Sequence, residues 1–389
     1  MAMTKRRILL VHSSADGYGS DRACLEIASA GRACGWDIHV MVPSAGALTQ
    51  AMTKLSVPFR VHDPWVLRRA DLRGWRAARA PDRWASVLMS LRRLAKVERF
   101  DLVHSNCSVT LGGAFLAHEW RVPHIWQVHE LLPEGVQRSF LQWLLLRADA
   151  VLTASQACAD QFGPSLRERC RVAYTGARVP HGLPSVPPFS SGHVRIVCVG
   201  RLNGRKGQQD AVEALRLLHA MGISSELVIV GDVYGREDHF RTSLERRVRD
   251  LGLVDSVIML GYRDDALSVM ASADVVVVPS VAPESFGMVV VEAMALGRAV
   301  IATNHGGPKE IIRQGIDGIL VEPSSPAAIA KAVERLYKEP ERARRLGVAA
   351  LERARQFEPS RMIEVVLQTY DELLGAKAVH IDAGHAYAK

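Results

Sequence analysis

The 389-residue sequence lacks several patterns that would point directly to a class of site. Its six cysteines form no Cys-x-x-Cys pair and show no metal-ligand spacing, which favours packed thiols in a reducing, cytosolic setting. No apolar run approaches the roughly 18 residues of a spanning helix, and the first residues do not resemble a signal peptide. The Gly-Lys-Ser/Thr ending of a P-loop is also absent. We therefore expect a soluble or peripheral protein without a disulfide framework.

The composition that is present is that of an ordinary globular protein. Hydrophobic residues make up 48% and charged residues 23%, and the length predicts two domains. The formal net charge of +8 favours a partner with negative charge, such as nucleic acid, nucleotide phosphates or an anionic membrane. Nucleic acid is disfavoured because no recognisable nucleic-acid motif accompanies the charge.

Apolar strands alternate with helical segments in both halves of the chain, which predicts α/β domains with doubly wound parallel sheets. A segment rich in Pro, Gly and Ser, 180–193, separates the two halves. We predict an N-terminal domain, a linker, a C-terminal domain, a C-terminal helix packing back toward the N-terminal domain and a tail, at 1–183, 184–193, 194–356, 357–376 and 377–389. Ligands of such folds bind at the carboxyl ends of the strands, which predicts a site in a cleft between the domains.

The stretch 273–303 reads as a buried strand, a short loop, an apolar helix and a second buried strand. Glu284 lies in the loop and Glu292 lies inside the helix among valine, alanine and methionine. The helix is apolar almost all round, so we expect Glu292 to be buried. A buried carboxylate is costly unless it is paired or hydrogen-bonded, so this residue requires a partner.

A glycine-bearing segment, VGRLNGRKG at 199–207, follows the first strand of the second half and precedes a helix. Backbone of this kind can approach phosphate closely, and Arg201 and Lys206 add two positive charges. Taken alone, the same segment could be an exposed basic turn.

Together with ESFGMVVVE, AMALGRAVIAT, HGGPKEII and GIDGILVEP, this segment resembles the successive motifs of the retaining glycosyltransferases of family 4. The resemblance covers 199–323 and implies the GT-B architecture, two Rossmann-like domains facing across a cleft. It implies a hexosyltransferase-type enzyme of class EC 2.4 that uses a nucleotide-diphosphate sugar, linked to UDP or GDP.

The resemblance also implies roles for individual residues. Glu292 would accept hydrogen bonds from the ribose hydroxyls, and Glu284 would hold hydroxyls of the sugar. The remaining implied contacts to the donor come from three places. They are the helix start with Phe286, Gly287 and Met288, the basic loop with Arg201 and Lys206, and the base-binding loop with Tyr262 and Arg263. No Asp-x-Asp pair occurs, so we expect no metal and no other cofactor, with cationic side chains and the helix start stabilising the diphosphate.

The N-terminal half contributes fewer candidates. Gly17 and Gly19 lie in the first strand–helix loop, where the resemblance implies closure over the donor phosphates; NAD binding is disfavoured because the third glycine of the dinucleotide fingerprint is absent. His129, in WQVHE, matches a histidine that the family places beside the donor sugar. His104 also lies at a strand end and could face the acceptor. The predicted catalytic residues are therefore Glu284, His129, Arg201 and Lys206.

Residues 65–99 combine an excess of Arg and Lys with Trp65, Trp75 and Trp84. Such a basic, aromatic stretch suits an anionic bilayer surface, although a solvated helix pair with core tryptophans has the same composition. We predict a cytoplasmic enzyme, peripheral on the inner face of the cell membrane, that acts on a lipid-linked or growing cell-surface glycan. The alternatives are a nucleotide-sugar synthase or epimerase acting on soluble substrates, and a non-catalytic GT-B subunit that only binds nucleotide.

Overall fold

The computed structural model describes residues 6–16, 19–67, 74–178, 188–233 and 237–375, without the side chains of 74–80. The chain divides into two compact units. The first runs to Thr175 and resumes at Pro359, and the second is Gly176–Glu358. The predicted site residue Gly17, residues 184–187 of the predicted linker and the predicted tail 377–389 lie outside the described residues.

A parallel sheet forms the centre of the first unit. Its strands are β1 Arg7–Val11, β2 Asp37–Val42, β3 Phe59–Val61, β4 Leu102–Ser105, β5 His124–Val128, β6 Ala150–Thr153 and β7 Cys170–Val172. The strand order is β3-β2-β1-β4-β5-β6-β7, so the direction of winding reverses between β1 and β4. The central strands are apolar because helices cover both faces.

The helices of the first unit connect these strands. They are α1 Gly19–Ala33, α2 Ala47–Lys54, α3 Gly74–Val97, α4 Leu111–Trp120, α5 Val136–Leu145, α6 Gln156–Asp160 and α7 Pro164–Arg167. Buried residues of α1 and α2 share one hydrophobic core with one face of the sheet. Buried residues of α3 and α4 pack on the opposite face, and those of α5 and α7 form a further cluster on that face.

The second unit contains a parallel sheet of the same kind. Its strands are β8 Val194–Val199, β9 Ser225–Val230, β10 Val257–Met259, β11 Val275–Val278, β12 Ala299–Thr303 and β13 Ile319–Val321, in the order β10-β9-β8-β11-β12-β13. Its helices are α8 Gln208–Ala220, α9 Asp238–Asp250, α10 Ala266–Ala271, α11 Met288–Ala295, α12 Pro308–Ile311, α13 Pro326–Lys338 and α14 Pro340–Ala354, followed by a short 3-10 turn at Arg355–Phe357. The doubly wound parallel sheets that the sequence predicted are thus present in both units.

The last described helix, α15 Pro359–Leu374, belongs to the first unit and packs along α1. Its buried face contributes Met362, Ile363, Val366 and Tyr370 to the core under α1. The Tyr370 ring meets the Trp36 ring edge-on, with 5.8 Å between the ring centroids. The first unit is therefore built from two separate stretches of the sequence.

Candidate active site

A loop at the carboxyl end of β8 lies against the segment that follows β11. Gly207, with φ +70°, ends this loop and directly precedes α8. A Cβ atom at Gly207 would lie 1.9 Å from the carbonyl oxygen of Pro279, so this approach requires glycine. The amide of Val281 donates to the carbonyl oxygen of Arg205 over 2.9 Å, which joins the two segments. This packing brings Lys206 close to the loop that contains Glu284.

Lys206 and Glu284 form an ion pair in this loop cluster. Nζ of Lys206 lies 2.9 Å from Oε1 of Glu284, and the two side chains are 29% and 12% exposed. The hydroxyl of Ser280 donates to the same carboxylate oxygen. Burial alone would raise the pKa of Glu284, but the charge of Lys206, the hydrogen bonds from Ser280 and Lys206, and His305 together lower this pKa. Glu284 is therefore held as a carboxylate, which only accepts hydrogen bonds.

The chain after β12 supports the backbone around Glu284. The amide of Gly307 donates to the carbonyl oxygen of Glu284 over 2.9 Å, and a Cβ atom at Gly307 would lie 1.8 Å from the carbonyl oxygen of Phe286. Nε2 of His305 donates to the carbonyl oxygen of Ser280 over 2.8 Å. Ser280 and His305 were not among the predicted site residues, although the paired glycines of HGGPKEII are typical of close backbone approach.

The helix α11 begins at Met288, directly after Gly287, whose φ is +106°. Met288, Val289 and Glu292 are half-buried, whereas most of the other residues of the helix are buried. The expectation that Glu292 is buried is therefore wrong. These three residues share one side of the helix, and that side is not covered by the core of the second unit.

The other predicted residues of the second unit differ in how they are engaged. Phe286 is 3% exposed, and its ring packs against Phe357 with the centroids 5.9 Å apart. Arg201 is half-buried, while Tyr262 is 67% exposed on the loop after β10. Arg263 donates twice to Asp265 over 2.7 Å, and this pair of bonds raises the pKa of Arg263 and lowers that of Asp265. The charge of Arg263 is thus engaged by its own loop.

In the first unit, polar side chains follow the carboxyl ends of β1, β4 and β5. Nδ1 of His12 lies 3.1 Å from Nδ2 of Asn106, and Oδ1 of Asn106 lies 2.9 Å from Nε2 of His129. These side chains form a row of hydrogen-bonded groups, and at its other end Nε2 of His12 lies 2.6 Å from Oδ1 of Asp21. Asp21 is in the first turn of α1, which begins at the predicted Gly19. The row connects His129 to His12 and Asn106, neither of which the sequence assigned to the site.

The environment of His129 keeps its imidazole neutral. Burial lowers the pKa of His129 to about 3, and the neighbouring imidazole of His12 adds to this effect. The next residue, Glu130, accepts hydrogen bonds from the Ser108 hydroxyl over 3.0 Å and from the Cys107 thiol over 2.6 Å. His129 is therefore an uncharged hydrogen-bonding group at neutral pH.

His104 lies in the interior of the first unit and is not accessible to an acceptor. It is fully buried, and its Nδ1 lies 2.8 Å from the hydroxyl of Tyr370 in α15. Burial lowers the pKa of His104 to about 3, with His129 and His124 as smaller causes. The contact joins α15 to the central strand β4, so His104 serves the packing of the first unit.

Both halves of the chain match family models. Residues 18–179 match the model described as Glycosyltransferase Family 4, and residues 185–353 match the model described as Glycosyl transferases group 1. The chain is also 31% identical, over 313 residues, to the D-inositol 3-phosphate glycosyltransferase of Paenarthrobacter aurescens (strain TC1). That match covers 72% of this chain and 75% of the relative. The chain belongs to the family 4 glycosyltransferases.

Further similarities agree with this membership. The glycosyltransferase is 27% identical to the putative glycosyltransferase EpsD of Bacillus subtilis (strain 168), over 86% of this chain and 89% of that protein. Its fold matches the crystal structure of Anabaena HepE in complex with UDP-glucose, with a TM-score of 0.80 and 23% identity over 94% of this chain and 100% of that one. The predicted family resemblance and the GT-B fold of two Rossmann-like domains are confirmed.

The basic segment 65–99 of the glycosyltransferase is described only in part. The rings of Trp65 and Trp84 pack together with their centroids 6.5 Å apart, and both residues are half-buried. The side chain of Trp75 lies outside the described residues. Exposed cations occupy the described end of α3: Arg92, Arg93 and Lys96. At this surface, Trp65 and Trp84 are directed mainly to the protein, and the positive charges are directed to solvent.

The described parts of the chain lack two kinds of feature. They contain no group of three or more His, Cys, Asp or Glu side chains arranged to hold a metal ion. Their helices include none whose length and apolar character would let it cross a bilayer.

Proposed function

We propose that this glycosyltransferase moves a sugar from a nucleoside diphosphate to an acceptor hydroxyl, with retention of configuration and without a metal ion. The observation that carries the proposal is the ion pair of Lys206 with Glu284, just before the start of α11. A cation, an ionised carboxylate and a helix start share the carboxyl ends of β8 and β11, where doubly wound sheets bind nucleotides. The complexes of HepE with UDP and UDP-glucose support a uridine diphosphate donor.

Each side chain has a role that fits its chemistry. The ammonium of Lys206 has three N–H donors, so two remain for phosphate oxygens while one is bonded to Glu284. Arg201 and the first amides of α11 add further positive potential for the leaving diphosphate. The carboxylate of Glu284 accepts hydrogen bonds from sugar hydroxyls, and that of Glu292 accepts them from the ribose diol.

The proposed reaction needs no nucleophile from the protein. The acceptor oxygen attacks the anomeric carbon on the face from which the diphosphate departs. The bond from that carbon to the phosphate oxygen breaks while the new glycosidic bond forms, and the acceptor proton passes to the departing phosphate. The protein's contribution is to position both substrates and to stabilise the negative charge on the leaving group.

The first experiment identifies a donor and then removes Glu284. A thermal-shift screen with UDP, GDP and their sugars selects the ligand, because binding to the folded state raises its stability. With that donor, Glu284→Ala should lower turnover at least about 100-fold while the Kd of the nucleoside diphosphate stays within about threefold. Glu341→Ala, at an exposed position of α14, is the matched control. Normal turnover in Glu284→Ala would contradict the assigned role.

The same assay tests the absence of a metal requirement. We expect equal turnover in excess EDTA and in millimolar Mg²⁺, because side-chain and backbone N–H groups are assigned to the diphosphate. Turnover that is lost in EDTA and restored by Mg²⁺ would reject this part of the proposal.

Two other activities remain as alternatives. A nucleotide-sugar synthase or epimerase would act on soluble substrates, and product analysis by mass spectrometry separates these outcomes from glycoside transfer. A non-catalytic subunit would bind nucleotide without turnover. Donor turnover in the unmodified protein that is lost in Glu284→Ala would exclude the second alternative.

We further propose that the first unit contacts an anionic membrane surface at the cytoplasmic face of the cell membrane, where a lipid-linked or growing cell-surface glycan supplies the acceptor hydroxyl. The exposed basic end of α3, within 65–99, supports this proposal. A second support is an apolar stripe on α5, in which Val136, Phe140 and Trp143 are 88%, 44% and 51% exposed. Because α3 and α5 cover the same face of the sheet, charge and aromatic surface lie on one side of the unit.

Vesicle sedimentation tests the membrane contact. Phosphatidylglycerol vesicles should retain the protein and phosphatidylcholine vesicles should not, because the α3 cations attract anionic lipid. Phe140→Asp with Trp143→Asp should reduce retention, and so should the three α3 cations changed to Glu. Val348→Asp, at a position 69% exposed on α14, is the control. Equal retention of all variants would reject the proposal.

A further inference from the structure

Asn106 lies between two imidazole rings and is itself fully buried at the end of β4. Its amide nitrogen can only donate hydrogen bonds and its amide oxygen can only accept them. Nδ2 lies 3.4 Å from the carbonyl oxygen of Ser20, which can only accept. This contact selects one orientation of the amide, with the nitrogen toward Ser20 and His12 and the oxygen toward His129.

That orientation assigns a proton to each ring. Nδ1 of His12 receives the hydrogen bond from Asn106, so the proton of a neutral His12 lies on Nε2, where it meets the carboxylate of Asp21. Nε2 of His129 faces the amide oxygen over 2.9 Å and must therefore donate. Nδ1 of His129 is left with its lone pair, and the hydroxyl of Thr175 lies 3.5 Å from it.

We propose that Asn106 is a positioning residue that fixes the proton of His129 on Nε2, so that His129 meets a substrate hydroxyl as a hydrogen-bond acceptor at Nδ1. The substrate in this statement rests on the proposed glycosyl transfer, whereas the proton placement does not. The ligand chemistry that fits Nδ1 is a hydroxyl, as on a sugar. A carboxylate or carbonyl oxygen has no hydrogen to give it.

Burial holds the side chains of this row in their hydrogen-bonded positions. His12, Asp21 and Asn106 are 0%, 1% and 0% exposed, so water does not replace a lost partner. The carboxylate of Asp21 also accepts from the Ser14 hydroxyl over 2.5 Å, which holds the acidic end of the row in place. The position of each proton along the row is therefore set from the carboxylate of Asp21 at one end to the imidazole of His129 at the other.

Long-range ¹H–¹⁵N NMR of the full chain with ¹⁵N-labelled histidine measures the proton positions directly, because protonated and bare ring nitrogens have distinct shifts. His12→Gln and His129→Gln assign the signals. We expect a protonated Nε2 and a bare Nδ1 in both rings of the unmodified protein. A protonated Nδ1 on neutral His129 would overturn the proposal.

Two variants of Asn106 test its role. Asn106→Asp keeps the oxygen that faces His129 but removes the donor to His12, so His12 should gain a second proton while His129 keeps its proton on Nε2. Asn106→Leu should abolish the tautomer preference of His129, and if it does not fold, Asn106→Asp alone decides. Gln368→Glu makes the same amide-to-carboxylate change at an exposed position of α15 and should leave both rings unchanged. Unchanged rings in Asn106→Asp would overturn the proposal.

The consequence for substrate is measured separately with UDP-glucose, or with the donor that the thermal-shift screen selects. Asn106→Leu, which removes the acceptor that fixes the His129 tautomer, should lower kcat about tenfold, the effect of one misdirected hydrogen bond, with the Kd for UDP within about threefold. An unchanged kcat in Asn106→Leu beside an altered tautomer of His129 would overturn the role of His129 toward substrate. Intact proton order without any turnover in the unmodified protein would instead count against glycosyl transfer itself.

Discussion

Removing the positive partner of Glu284 is the most direct perturbation of the candidate site. Lys206→Met keeps most of the side-chain length but deletes the ammonium that lies 2.9 Å from the carboxylate. Glu284 then retains the Ser280 hydroxyl as a partner in surroundings that leave it 12% exposed. Glu284→Gln makes the complementary change, and the double variant completes a thermodynamic cycle.

The expected size follows from this geometry. Two unit charges 2.9 Å apart interact by about 6 kcal/mol at an effective dielectric constant of 20. Desolvation offsets much of this attraction, and the 29% exposure of Lys206 weakens it further. We expect Lys206→Met to lower the free energy of unfolding by about 2–3 kcal/mol, with a coupling energy of about 1–2 kcal/mol in the cycle. A loss of this size should lower the Tm of the second unit by roughly 5–8 °C.

Calorimetry and urea titration of the full chain measure these changes in the transition of the second unit. Lys331→Met, at an exposed position on α13, is the matched control and should change stability by less than about 0.5 kcal/mol. A coupling energy below about 0.5 kcal/mol, or equal effects of the two lysine variants, would refute the reasoning that this ion pair organises the loop.

Three further predictions concern the packing around the site. The free energy of unfolding of the first unit should fall as the pH drops below about 6.5, because histidine in the unfolded chain binds protons there while His104, His124 and His129 in the folded protein have pKa values of about 3. The loss reaches up to about 1.4 kcal/mol per pH unit for each of these three histidines. Urea titrations at pH 7.5, 6.5 and 5.5 measure it. Tyr370→Phe should cost about 1–2 kcal/mol by the same titration, since it leaves Nδ1 of His104 unsatisfied, and an unchanged midpoint would contradict the contact. Gly207→Ala should lower the free energy of unfolding by at least about 2 kcal/mol more than Gly222→Ala does. Both glycines have positive φ (+70° and +75°), but only at Gly207 would the added Cβ atom meet a carbonyl oxygen. Equal losses of stability in thermal melts would show that backbone strain alone matters.

The buried strands were predictable because they are short apolar runs bounded by turn residues. The runs at 275–278 and 299–303, for example, coincide with β11 and β12. The short edge strands β3, β7 and β13 were not predicted, whereas β10, which is equally short and also lies at an edge, was. In β3 and β7, FRV and CRV, an arginine interrupts the apolar run, whereas β10, VIM, is apolar throughout.

The candidate site was predictable as a set of residues but not as a set of contacts. The motifs pointed to Lys206 and Glu284 separately, with phosphate assigned to one and sugar to the other. Their contact depends on β8 and β11 being neighbours in the sheet, which local sequence does not encode. The burial of His104 likewise depends on Tyr370, which lies 266 residues away and reaches it only through the return of α15.

The return of α15 also has a consequence for the order in which the chain can fold during synthesis. Residues up to Thr175 leave the ribosome first, but one face of their core stays uncovered until the helix bearing Met362, Ile363, Val366 and Tyr370 has been made. The second unit is continuous in sequence and has no such delay. We therefore expect the later half of the chain to reach its native core before the earlier half, and the core under α1 to become complete only after α15 has been synthesised.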